Sequence, residues 1–167
     1  MGAVEEMSFE ELVQTFAAFE QDHEPSDVDR AIQRTAVERR LLSILSVGTP
    51  GAERRTAIRV PGELGVRLYV GEQQVKGIVR DVGEGGVGVR ALFAPPEGAV
   101  LDVELIPKKV SALNHPPRAQ AQVAWVRPVA GAGYDLGLAF VGHDDAHRRR
   151  VRRMVAELLR RMPPRLD

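Results

Sequence analysis

Residues 81–90 read Asp-Val-Gly-Glu-Gly-Gly-Val-Gly-Val-Arg, and the glycines can be taken two ways. Gly83, Gly85 and Gly88 spell G-x-G-x-x-G. A dinucleotide-binding turn of that form must open directly into a helix, because the pyrophosphate rests on the helix N-terminus. Here Val87 and Val89 alternate with other residues and Pro95-Pro96 follow, so a strand comes next. No Gly-Lys-Ser/Thr follows either, which excludes a P-loop. The glycines therefore join two strands by a tight turn.

The same two-residue period runs on both sides of this turn. Candidate strands are 63–70, 73–82, 86–92, 99–107, 118–129 and 134–141, separated by Gly71-Glu72, Gly85-Gly86, Pro95-Pro96 and Gly131-Ala132-Gly133. Six short strands at regular intervals predict an all-β core, an antiparallel barrel. Residues 107–118 form a basic connecting loop. Asp144 or Asp145 starts a final helix whose apolar face is Val151, Met154, Val155, Leu158 and Met162, and Pro163-Pro164 stops it. Upstream, Ser8 and Glu11 form a capping box for a helix carrying Phe9, Leu12, Val13, Phe16 and Phe19. Pro25-Ser26 breaks that run and Ser26 caps a second helix, with Val28, Ile32, Ala36, Leu41, Leu42 and Leu45 as its apolar side. The expected organisation is a helical hairpin over 1–47, a linker at 48–53 and a barrel with C-terminal helix over 54–167. Two helices bury little by themselves, so the hairpin packs on the barrel or on a second copy of the chain, as a homodimer.

Composition narrows the function classes. Of 167 residues, 44% are hydrophobic, enough for a core, and none is cysteine, which excludes disulfides and thiolate chemistry and fits a reducing cytoplasm. Met1–Glu20 is acidic and lacks a basic flank before an apolar run, so neither a signal peptide nor membrane insertion is expected. Residues 1–53 carry 11 acids and 4 bases (−7) and residues 54–167 carry 12 acids and 19 bases (+7), an asymmetry that suits one part docking on the other.

Chemistry concentrates at two clusters. Arg54, Arg55 and Arg59 put three guanidiniums within six residues, and Asp81 leads the glycine turn. Arginine forks pair with phosphate oxygens and with the O6/N7 edge of guanine. A carboxylate accepts from the N–H groups of guanine's other edge. Together they suit an anionic purine nucleotide. Taken singly, each has a plain alternative: a solvated basic run before a strand, and a turn-forming aspartate.

Arg55 and Arg59 fit R-x-x-x-R, and Asp81, Gly83 and Gly86 fit [D/N]-x-S-x-x-G except that Gly83 stands where the serine belongs. In order and spacing, from about Glu53 to Asp167, the chain resembles the PilZ domain family of bacterial cyclic di-GMP receptors. The resemblance implies a six-stranded PilZ-like β-barrel and cyclic di-GMP as ligand, with no cofactor, metal or enzymatic activity. Arg55 and Arg59 would take phosphate and a guanine Hoogsteen edge, Asp81 guanine N1–H and N2–H, and Gly83 and Gly86 the turn lining the ligand. Arg54 would help if a stacked ligand pair brought four phosphates together; it is equally explained as solvated. The signal would pass to an unidentified protein partner through ligand-dependent ordering of the interdomain arginine segment. Gly83 feeds the alternative of a degenerate adaptor that binds proteins but no nucleotide.

Other features have ordinary explanations. Trp125, the one tryptophan, is expected in the core, and Gly137 is expected to serve packing. Arg148 to Arg153, with Arg160, Arg161 and Arg165, is a solvated helix face, a dock for the acidic helices, or a nucleic-acid surface; 5% aromatic content argues against base stacking on nucleic acid. His143 and His147 have metal-ligand spacing but sit at a helix start where Asp144 and Asp145 serve as caps. Only one serine, Ser111, follows residue 53, and no nucleophile motif surrounds it.

Overall fold

The structure, a computed structural model, describes residues 4–21, 28–47, 57–62, 64–107, 118–142 and 144–162. The Ser26 cap, the 48–53 linker, most of the 107–118 loop, His143 and the Pro163-Pro164 stop lie outside the described residues. The chain divides into two compact units, Met1–Val60 with Arg152–Asp167, and Pro61–Val151.

The first unit is helical. α1 (Phe9–Gln21) begins with the expected capping box: Ser8 N donates to Glu11 Oε2 at 2.8 Å and Glu11 N donates to Ser8 Oγ at 3.3 Å. The Ser8 N–H bond, joined by one from the Ser8 hydroxyl to the same Oε2 at 2.8 Å, holds the Glu11 carboxyl below its ordinary pKa. Phe9, Leu12, Val13, Phe16 and Phe19 are all buried, as their spacing predicts. α2 (Val28–Ser46) departs from expectation. Its buried residues are Val37, Leu41 and Leu45, whereas Val28 and Ile32 are 74% and 59% exposed. Continued toward the N-terminus, the 37/41/45 stripe passes through Arg34 and Arg30, not Val28 and Ile32. Arg34 Nη2 donates to Glu20 at 2.9 Å, and the Arg30 guanidinium lies 5.8 Å from the Phe19 ring centroid.

α3 (Asp145–Arg160) is capped by Asp144, whose Oδ1 accepts from His147 N at 2.8 Å. This bond is the main cause of a lowered Asp144 pKa. Val151, Met154, Val155, Ala156 and Leu159 are its buried apolar positions, Leu159 taking the place expected of Leu158, and His147 is buried as well. Within the helical unit Arg152 Nε donates to Glu20 Oε1 at 2.9 Å, and its Nη2 pairs with Glu38. Arg153 Nε donates to the Glu20 carbonyl at 2.9 Å. The Glu20 side chain is only 4% exposed, so these arginines compensate a charge taken out of water. Acidic helices and basic helix do dock here, through these side chains.

The second unit is a barrel. β2 (Leu64–Val70), β3 (Gln73–Gly83), β4 (Gly86–Ala91), β5 (Val100–Pro107), β6 (Arg118–Val129) and β7 (Gly133–Val141) match the expected strands to within a residue at most ends. Their order is β3-β2-β5-β6-β7-β4, and β4 pairs back onto β3, closing six antiparallel strands. Val66, Leu68, Leu105, Val123, Leu136 and Leu138 are among the side chains filling the interior. A seventh strand, β1 (Arg59–Pro61), has only three residues and ends at a proline, too short to leave an alternation. Among the described residues no helix is long and apolar enough to cross a membrane.

Candidate functional site

Alternation along β3 puts Val79 inward, and two residues later Asp81 would point inward as well. It does not, because β3 bulges between Val79 and Asp81: Val79 pairs with Val89, but Asp81 pairs with Gly88. One additional residue, Arg80, shifts the phase. Val82 becomes fully buried and the Asp81 side chain goes to the outer face, half-buried. β6 repeats the device. Val123 pairs with Leu138 and Trp125 with Gly137, leaving Ala124 as the additional residue. Trp125 therefore faces outward, 38% exposed, and not into the core as its alternation with Val123 suggested. Past the bulge, Val126 N finds the Glu97 carboxylate at 3.0 Å.

The two bulges align. Asp81 faces Gly88, Gly88 faces Gly137 and Gly137 faces Trp125, one row across β3, β4, β7 and β6. Both central positions are glycine for a steric reason. A Cβ on Gly88 would lie 2.8 Å from Asp81 Oδ2, and a Cβ on Gly137 would collide with the Trp125 indole. The carboxylate and the indole thus lean inward over a floor without side chains. The expected packing role of Gly137 is this contact.

The next row is charged. Arg90 clasps Asp135 with two bonds, Nε to Oδ1 at 2.8 Å and Nη2 to Oδ2 at 3.0 Å, and Arg80 Nη1 reaches Oδ2 at 3.0 Å. The Arg90 bond, reinforced by Arg80, holds the Asp135 carboxyl below its ordinary range despite partial burial. Arg127, opposite Asp135 in the register, lies over the Trp125 ring, 5.0 Å from its centroid.

Of the residues singled out from sequence, Arg54 and Arg55 lie outside the described residues. Arg59 is half-buried in β1 and belongs to the first unit. Asp81, Gly83 and Gly86 belong to the second unit, where Gly83 and Gly86 pair across the β3–β4 hairpin. The turn is Glu84-Gly85, and Gly86 is buried so closely against β7 that a Cβ there would strike the Leu138 carbonyl. His147 packs edge-on against Phe140, ring centroids 5.0 Å apart. Gly88, expected only as part of the glycine turn, Trp125, expected in the core, and Arg127 belong to this outer face. The available signal was Val79 and Val82 standing three apart in a strand of period two.

The PilZ domain model matches residues 53–157. No curated protein matches at a significant level. Among solved structures the chain is similar to the PilZ domain with c-di-GMP of YcgR from Escherichia coli, at 16% identity and TM-score 0.51, covering 64% of this chain and 92% of that one. It is also similar to the inhibitor of motility MotI/DgrA of Bacillus subtilis, at 14% identity and TM-score 0.53, covering 65% of this chain and 53% of that one. A third similar structure is the K. pneumonia MrkH–c-di-GMP complex, at 14% identity and TM-score 0.51, covering 64% of this chain and 52% of that one. The chain thus spans about half the length of the last two, and at these identities the likeness is one of fold.

Proposed function

Because the chain belongs to the PilZ domain family, a family of cyclic di-GMP receptors, we propose that it binds cyclic di-GMP and passes the signal to a protein partner. The observation that carries this reading is Asp81. A bulge turns its side chain to the barrel's outer face, where it is half-buried, and Cβ-less Gly88 leaves room for the carboxylate over the sheet. Guanine N1–H and N2–H are a matching pair of donors. Arg55 and Arg59 supply planar forks for phosphate and the Hoogsteen edge, a role lysine cannot fill. The ligand ties the arginine segment to the Asp81 turn, and the helices joined to that segment respond. Only the ligand's differential affinity for the two arrangements drives the change. The module works in the cytoplasm by binding and not by catalysis.

Gly83 favours a second reading, an adaptor that binds proteins without nucleotide, because a serine hydroxyl is missing from the turn. Nucleic-acid binding by α3 is less favoured, since Arg152 and Arg153 are engaged by Glu20 and Glu38. A thermal-shift assay separates these. A receptor gains about 2.7 kcal/mol of stability at a cyclic di-GMP concentration 100 times Kd and gains nothing from GTP. An unchanged melting temperature across micromolar to millimolar cyclic di-GMP leaves the adaptor.

A further inference from the structure

Arg127 is an exposed guanidinium whose nearest acid in the register is already taken. Asp135 is bound twice by Arg90 and once by Arg80. Among the described residues Arg127 has no ion pair; its partner is the face of an indole. The indole in turn lies against the bare backbone of Gly137. A planar cation held over an aromatic ring offers a surface on which a further planar group can stack. Its N–H edge stays available to an acceptor. The row Arg90, Asp135 and Arg127, with Arg80 reaching Asp135 from the bulge, carries two net positive charges, so an anionic ring system is favoured there over a neutral one.

Resting on the cyclic di-GMP reading, we infer that Trp125 and Arg127 form a stacking shelf for one guanine of the ligand, while Asp81 takes the edge of the other. The row geometry suits this division. Asp81 and Trp125 stand three strand spacings apart, about 14 Å between backbones, and both side chains lean inward over Gly88 and Gly137. One macrocycle with two bases can reach both ends, whereas a mononucleotide cannot. The bulge that turns Trp125 outward then serves ligand binding, as the bulge at Arg80 does for Asp81.

Trp125 is the only tryptophan, so its emission reports on the shelf alone. The experiment is calorimetric titration of the full chain with cyclic di-GMP, with tryptophan emission recorded in parallel, for wild type, Arg127→Ala and Arg127→Lys. The expected result is a ligand-dependent change of emission in wild type and an affinity lowered 5-fold or more in both variants, because stacking on aromatic platforms has that order of effect and lysine keeps charge without a plane. Heat of binding with unchanged emission, or wild-type affinity in Arg127→Ala, overturns the shelf and leaves the receptor reading intact. Full affinity in Arg127→Lys assigns the residue a charge role and overturns stacking. No heat with wild type overturns the receptor reading itself, and the shelf with it.

Discussion

Gly88→Ala puts one methyl group against the atom on which the receptor reading turns. The new Cβ would stand 2.8 Å from Asp81 Oδ2, 3.1 Å from its Cγ and 3.3 Å from Oδ1. Ordinary contact begins near 3.5 Å, so the carboxylate must withdraw by roughly 0.7 Å or leave its rotamer. The obstacle is the end of a flexible side chain at the outer face, so the adjustment costs about 0.5–1.5 kcal/mol. Gly88 has no positive φ, and replacing glycine by alanine where the backbone permits it returns about 0.4–1 kcal/mol through the unfolded chain. Net stability should therefore change by about 1 kcal/mol or less. Binding should change more. A paired carboxylate–base contact is worth about 1–3 kcal/mol and depends on alignment, so loss of it weakens cyclic di-GMP binding about 5- to 150-fold. Calorimetry on Gly88→Ala and Asp81→Ala, with melting curves for both, tests this. If Asp81→Ala loses affinity and Gly88→Ala does not, the carboxylate is not positioned by that glycine. If neither loses affinity, Asp81 does not read guanine at all.

Other outcomes follow from the same geometry. Arg55→Ala or Arg59→Ala should each weaken cyclic di-GMP binding about 5- to 150-fold, and wild-type affinity by calorimetry in both would remove the arginines from the site. Arg152→Ala leaves Glu20, 4% exposed, with Arg34 as its remaining guanidinium partner among those described, and should destabilise by about 3 kcal/mol in urea melts. Asp135 has a carboxyl held below its unfolded value of 3.8, chiefly by Arg90; its stabilisation is complete above that value and is lost as pH falls through the lower folded value. Asp135→Asn should accordingly flatten the acid limb of a stability curve below about pH 4, and an unaltered limb would contradict the assignment. Asp144→Ala removes the α3 cap and should cost about 1 kcal/mol, read as a lower denaturant midpoint.

The chain's alternation and turn residues were enough for the barrel's six strands, because period two and glycine or proline punctuation are local properties. The Ser8–Glu11 box was equally local, and it formed as read. The apolar side of α2 was misread at Val28 and Ile32. Two four-residue ladders coexist on that helix, and the choice between them was made by Glu20 and Phe19 on another helix, which attract Arg34 and Arg30.

The candidate site divides in the same way. The residues proposed to carry its chemistry were legible in the sequence: an aspartate, glycines, and arginines at a family-like spacing. Which face they occupy was not. Asp81 and Trp125 would both enter the core if their strands were regular, and each is turned outward by one unpaired residue, Arg80 or Ala124. Val79 and Val82 standing three apart hint at the bulge in β3, but a bulge is defined only relative to a partner strand's register, which one strand's sequence does not contain. The alignment of both bulges across Gly88 and Gly137 depends on four strands that are distant in the chain and adjacent only once the barrel closes.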